Sequence, residues 1–238
     1  MTEHCRFCGL IDERLCKDWK MADKNCPQAP GAIFEFGPLR GLKKWHYGVI
    51  AADPPWSFKS YSNRDQGVIP ARGEQPYEPM TEEELLALPV RDLAAKDCVL
   101  HMWTISSHVD QTMRLAAHWG FTYKSLGLVW VKTQKSDPEA PKMGMGKWFR
   151  QEAEITLLFT KGSPTRLDAG VRQTILEPAR EHSRKPDSSL DRFEALSAGP
   201  YCELFSRATR EGWDQMGNEK GKFDQRVLAA DDDGMELV

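Results

Sequence analysis

At 238 residues the chain is long enough for one sizeable α/β core with a small appendage and too short for two full catalytic domains. Its 40% hydrophobic, 28% charged and 10% aromatic residues are those of an ordinary globular protein, apart from a generous eight Trp. A formal net charge of -3 and a pI near 6.1 exclude a strongly basic nucleic-acid clamp, so any phosphate binding has to be local. No run approaches the roughly 20 apolar residues of a membrane span and the N-terminus lacks a secretory apolar run. The expectation is a cytoplasmic protein, or one in the host cytoplasm if phage-encoded, with no membrane partner.

The first thirty residues hold four of the six cysteines and no sustained periodicity, which predicts a small irregular module over 1–30 ahead of a main domain over 31–228. Cys5, Cys8, Cys16 and Cys26 are spaced C-x2-C-x7-C-x9-C. Four thiols with a leading CxxC suit tetrahedral structural zinc, because disulfides are disfavoured inside cells. Unligated thiols are the alternative, and His4 is a substitute ligand. From Tyr47 to Ala52 the apolar run YGVIAA stops at two prolines, as a buried strand does when it meets residues that cannot donate to a ladder. Thr81 with Glu84 three residues on forms a capping box for a helix reaching Leu88. Cys98 to Trp103 reads as a second buried strand, and Ser106 to Trp119 as a helix closed by Gly120.

A strand over Tyr123 to Val131 then leads into a Lys-, Gly- and Pro-rich segment, Lys132 to Lys147, expected to be a long mobile loop. Strands follow at Ile155 to Thr160, Thr174 to Leu176 and Tyr201 to Ser206, with a helix at Ser188 to Leu196 before the last. The acidic tail, 229–238, reads as disordered. Alternating strands and helices argue for an α/β fold with a largely parallel sheet and ligands beyond the strand C-termini. Trp103 and Trp130 read as core, as do Cys98 and Cys202, whereas Trp148 is divided between core and substrate contact.

Asp53-Pro54-Pro55-Trp56 is the segment with the clearest chemistry. Asp53 and Pro54 both precede a proline and are pushed into extended backbone, and the fixed rings stiffen the turn. On that shelf the Asp53 carboxylate and the Pro54 carbonyl can each accept one N–H of an amino group while Trp56 stacks on its ring. An exocyclic base amine is a poor nucleophile because its lone pair is delocalised. Two acceptors favour a pyramidal nitrogen whose lone pair points at an electrophile. Orientation of this kind contributes roughly 7–11 kcal/mol, against about 1–3 kcal/mol for one base–aromatic stack.

In chain order the sequence carries YGVIAADPPW, PYEPMTEEEL, LHMWT, GFTYKSLGLVWVKT, MGKWFRQEAEITLLFTKG, HSRKPD, CELFSR and GWDQMGNE. From about Trp45 to Glu219 it resembles the DPPW-type N6-adenine methyltransferases, a family that includes the catalytic subunit of the messenger-RNA adenosine methyltransferase and bacterial and phage DNA enzymes. The resemblance implies a Rossmann-like methyltransferase fold with permuted motif order, the catalytic motif early and most cofactor contacts late, which accounts for the lack of an N-terminal GxGxxG. It implies S-adenosylmethionine as cofactor, with Asp53 and Pro54 as amino-group acceptors and Asp53 also facing the methionine amine. It places Trp56 against the target base, Tyr77 at the acceptor pocket, Lys185 on the methionine carboxylate, and Arg207 with Asn218 on ribose and adenine. Two positions depart from the family pattern: Arg184 stands where SHKP has His, and Glu219 where Gln follows the final Asn.

Between Lys132 and Arg150 five basic residues face only Asp137 and Glu139. The segment is either a solvated loop or a phosphate grip, with Lys142 and Lys147, used as a base is turned out for chemistry. The function expected is adenine-N6 methylation of DNA, by a monomer or homodimer. An RNA adenosine methyltransferase and a non-catalytic nucleic-acid-binding member are the alternatives, the second disfavoured by the intact DPPW and SRKP.

Overall fold

The computed structural model describes residues 30–56, 79–144, 148–181 and 184–224. Most of the cysteine-rich module, Tyr77, Lys147 and the acidic tail lie outside these residues. Seven strands form one sheet: β1 (Tyr47–Ala52), β2 (Ala94–Thr104), β3 (Thr122–Thr133), β4 (Ala153–Lys161), β5 (Thr174–Pro178), β6 (Tyr201–Leu204) and β7 (Trp213–Met216). Their order across the sheet is β5-β3-β4-β2-β1-β6-β7. Among the described residues three α-helices accompany them: α1 (Glu82–Leu86), α2 (Val109–His118) and α3 (Ser188–Leu196).

The α/β reading holds, and the sheet is largely parallel, with β4 alone running against the other six strands. β1 pairs in parallel with β2 and β6, β6 with β7, and β3 with β5, whereas β4 is antiparallel to both β2 and β3. The reason is the connection from β3 to β4. Parallel neighbours need a crossover, usually helical, and no helix stands between Thr133 and Ala153 among the described residues. The chain instead turns back on itself: Gln134 N donates to Ala140 O at 3.0 Å and Lys142 N to Lys132 O at 2.7 Å. The expected free loop therefore begins inside a strand, with Lys132 and Thr133 in β3, and continues as a hydrogen-bonded turn. β7 had no counterpart in the sequence reading; four residues, WDQM, are too few to show a period.

The start of α1 and the end of α2 follow the capping signals in the sequence. Thr81 N donates to Glu84 Oε2 at 2.8 Å and Glu84 N to Thr81 Oγ1 at 3.2 Å, completing the capping box. Pro89 then limits α1 to a single turn and a half. α2 ends at Gly120, whose φ of +84° closes the helix without a Cβ penalty. Two apolar clusters sandwich the sheet. One holds Ile50, Leu85, Leu100, Leu115 and Trp119; the other holds Val49, Trp103, Trp130 and Phe193. Alternate residues of β1 thus serve opposite faces, and the strand is buried on both, as a central parallel strand must be. Cys98 and Cys202 are fully buried in strands, as expected.

Candidate active site

The carboxyl ends of β1, β2, β3 and β6 share one sheet edge, and antiparallel β4 begins there. β1 delivers Asp53 to that edge, and Asp53 N donates to Leu204 O at the end of β6 at 3.4 Å. Trp56 N donates to Pro54 O at 2.8 Å and Met80 N to Pro55 O at 2.9 Å, so the proline turn is held from both sides. Trp56 is only 6% exposed and packs in the larger core cluster while still bordering the cavity described below. Its ring is a fixed wall rather than a free platform.

A buried charge cluster stands behind the turn. Lys185, 132 residues from Asp53 in sequence, places Nζ 2.6 Å from Asp53 Oδ2 and 3.2 Å from Glu154 Oε2. Lys132 bonds the other oxygen of Glu154. Lys185 also lies 5.5 Å from the centre of the Trp103 ring. Burial pushes the Asp53 carboxyl above the usual range, and the Lys185 ammonium offsets only part of that. For Glu154 burial acts in the same sense but is outweighed by Lys185 and Lys132, which hold it below the usual range. Burial would lower Lys185, yet Asp53 and Glu154 together raise it, so the ammonium stays charged between them.

The residues after β6 carry a second set of constraints. Phe205 adopts φ +65°, a left-handed conformation costing a non-glycine residue about 1–2 kcal/mol. Glu203 accepts from Ser206 Oγ and Gln215 Nε2, both at 2.7 Å, and burial pushes its carboxyl up. Arg207 Nε sits 2.8 Å from Glu219 Oε2, with its guanidinium 4.8 Å from the Phe223 ring centre. Glu219, the departure from the family pattern, thus meets a cation. Arg184, the other departure, lies over the same ring at 4.9 Å and pairs with Glu181 at 3.3 Å. Gly217 is required by close approach, since a Cβ there would lie 2.1 Å from Ser206 O.

These elements enclose a cavity of about 840 Å³, bordered by Asp53, Pro54, Trp56, Glu154, Arg207 and Asn218 among others. A smaller one of about 340 Å³ lies toward α3 and reaches Glu203, Gln215 and Arg210. The two share Asp53, Trp103, Lys185, Phe205 and Arg207, so the Asp53–Lys185 pair belongs to the wall of both. The larger volume lies near the upper end for small-molecule sites and has room for a cofactor and a base together.

The structure therefore brings Asp53, Pro54, Pro55, Trp56, Lys185, Arg207 and Asn218 to one place. Lys142 is exposed and borders neither cavity. Tyr77, Lys147 and the four N-terminal cysteines lie outside the described residues, and among the described residues no group of His, Cys, Asp and Glu could hold a metal. Among the described residues no helix is long and apolar enough to cross a membrane. Sequence reasoning missed Glu154, Glu203 and Phe205, and assigned Trp103 to the core alone. The available signal was charge: Glu154 lies near the start of β4 and Glu203 within β6, strands whose buried positions are mostly apolar, where a carboxylate is rarely buried without a partner.

Residues 47–219 match the MT-A70 family. The chain is 32% identical over 218 residues to the Type II methyltransferase M.MunI of a Mycoplasma species, covering 84% of this chain and 87% of that protein. It is 31% identical over 180 residues to a putative N(6)-adenosine-methyltransferase MT-A70-like protein of Medicago truncatula, and 27% identical over 177 residues to the human N(6)-adenosine-methyltransferase catalytic subunit METTL3. Each of these two matches covers 73% of this chain but only 26% and 28% of the plant and human proteins. By the match over Tyr47 to Glu219 and the likeness to M.MunI across most of both chains, the protein belongs to the MT-A70 family.

Proposed function

We propose that this protein methylates the N6 amino group of adenine in DNA with S-adenosylmethionine as donor. The observation that carries the reading is Asp53. It is a carboxylate at a strand end, one-third exposed to a cavity, with one oxygen held by Lys185 and the other left to receive an amine N–H. Pro54 O, already accepting from Trp56 N, has a second lone pair for the other hydrogen. The proline turn fixes both acceptors before substrate arrives, which is where orientation lowers the barrier. As the amine is alkylated it must lose a proton, and Asp53, raised by burial, is a suitable resting place for it.

S-adenosylmethionine supplies an electrophilic methyl group on a sulfonium. The residues present fit its parts: carboxylates for the amine, Lys185 for the carboxylate, Arg207, Asn218 and Glu219 for the ribose and adenine. The motif order, acceptor site early and these residues late, is what we read as permuted. Lys142, Lys147 and Tyr77 complete the reading as contacts to the acceptor strand, and Cys5, Cys8, Cys16 and Cys26 as a structural zinc site, checked by metal analysis with and without Cys5 and Cys8.

The test is incubation with labelled methyl donor and parallel DNA and RNA substrates. Label is expected on adenine N6 in DNA, and Asp53→Ala is expected to abolish it while cofactor binding persists. Full activity in Asp53→Ala overturns the mechanism; label on RNA alone moves the substrate to RNA.

A further inference from the structure

Trp148 and Phe149 stand 87% and 84% exposed, the two highest values among the large apolar side chains of the described residues. Neither belongs to a core cluster. They precede the site in sequence: β4 starts four residues after Phe149, and its second residue is Glu154, which borders the larger cavity. Gln151 moors the intervening backbone: its Nε2 donates to Ser106 Oγ at 2.7 Å, and its carbonyl accepts from Gly144 N at 2.9 Å. Ser106 directly follows Ile105, which borders the larger cavity. Trp148 and Glu154 are six positions apart, at most about 20 Å of extended chain.

The surroundings decide what the rings are for. In a chain of net charge -3, the stretch 132–150 carries five Lys and Arg against two acids, and with Lys132 committed to Glu154 four of these cations remain. Arg150 directly follows the rings in sequence, and Lys142 and Met143, the latter 67% exposed, precede them by six and five positions. The centre of a protein–protein interface is enriched in aromatics, Met and Arg but depleted of lysine, so the lysines of this stretch decide: aromatic rings interleaved with them are the arrangement of grooves that hold single strands.

We propose that Trp148 and Phe149 form a stacking platform for the unpaired bases that flank the target adenine, on the strand whose adenine enters the cavity. The proposal rests on the reading of that cavity as a base-methylation site. The rings accept any base through its π-face, and the neighbouring cations meet the phosphates between. The platform therefore adds affinity without sequence preference and favours a strand already opened around the target.

The experiment uses the full chain, S-adenosylmethionine, and a labelled short single-stranded oligodeoxynucleotide with one adenine. Trp148→Ala with Phe149→Ala is expected to bind it about ten- to a hundredfold more weakly. Cofactor affinity should be unchanged, and so should the salt slope, because stacking releases no counterions. Trp148→Phe should keep most of the affinity. Abasic positions beside the adenine should weaken the wild type by a similar factor and leave the double variant unaffected. Unchanged affinity in the double variant overturns the platform, as does a wild type indifferent to the abasic positions. A shift of oligomeric state in the variant overturns it as well, assigning the rings to a subunit contact. If the wild type neither binds nor methylates any adenine-bearing strand, the methyltransferase reading itself fails; if it methylates while the variant matches it in every respect, only the platform does.

Discussion

The two sides of the sheet reach the same cavity in different ways. On one side of β2 the parallel strands β1, β6 and β7 stop at the edge, and their functional residues, Asp53, Phe205, Arg207 and Asn218, lie just past the strand ends. On the other side β4 starts at that edge, so Glu154 already sits in the ladder opposite Trp130, and Lys132 is within β3. Residues beyond a strand end need special backbone: paired prolines, a left-handed Phe205, a glycine against Ser206. Residues inside a ladder need none. The lesson is that the parallel side holds its chemistry by backbone constraint and the antiparallel side by charge pairing.

Lys185 joins the two sides, so its removal should have the largest effect. Lys185→Met leaves Asp53 and Glu154 without their shared cation, and breaking a buried pair costs about 3–5 kcal/mol. Urea denaturation should show that loss together with lost cofactor binding. Stability within a few tenths of a kcal/mol of the wild type would mean that the cluster is well solvated and that charge pairing does not hold the antiparallel side. Gly217→Ala tests the other mode of support. The added methyl meets backbone rather than a flexible side chain, and forcing it in costs about 2 kcal/mol. The change should weaken cofactor binding more than its effect on stability accounts for, because Asn218 moves with it. A Gly217→Ala variant as stable and as tightly binding as the wild type would show that the rim yields without cost.

The same contrast explains what was legible in the sequence. The proline turn, the Thr81 capping box and the strand from Tyr47 to Ala52 announce themselves through residues with narrow conformational ranges. Lys185, Arg207 and Asn218 were reached only through the ordered family motifs, since a lone lysine or asparagine has no local signature. Glu154 was missed because its partners, Lys132 and Lys185, lie 22 and 31 positions away and meet only once β3, β4 and the segment before α3 are assembled. The direction of β4 was missed for a related reason. Strand polarity depends on the connection, and the Lys132–Lys147 segment reads as loose polar chain although its first residues are in a strand and its middle is a hydrogen-bonded turn.

The seam between the two sides is β2, and His101 occupies it, opposite Ala51 of β1 and Leu158 of β4. It is 1% exposed and stacks on Phe193 with ring centres 3.8 Å apart. Neither ring nitrogen has a hydrogen-bond partner among the described residues. Burial alone drives its pKa from 6.5 down to about 3. The folded pKa is therefore depressed, and between these values the unfolded chain binds a proton that the native chain refuses. Stability from the neutral ring is fully present above pH 6.5 and declines as pH falls toward 3, by up to about 1.4 kcal/mol per unit. His101→Leu, similar in volume, removes that linkage whatever it does to stability at neutral pH. Urea denaturation from pH 7 to pH 5, above most carboxylate titration, should give a shallower slope for the variant. Parallel slopes would mean that protonated His101 finds water or a partner in the native fold. The seam would then be looser than the packing of its neighbours implies, and the two sides of the sheet would be free to shift against each other at the site they share.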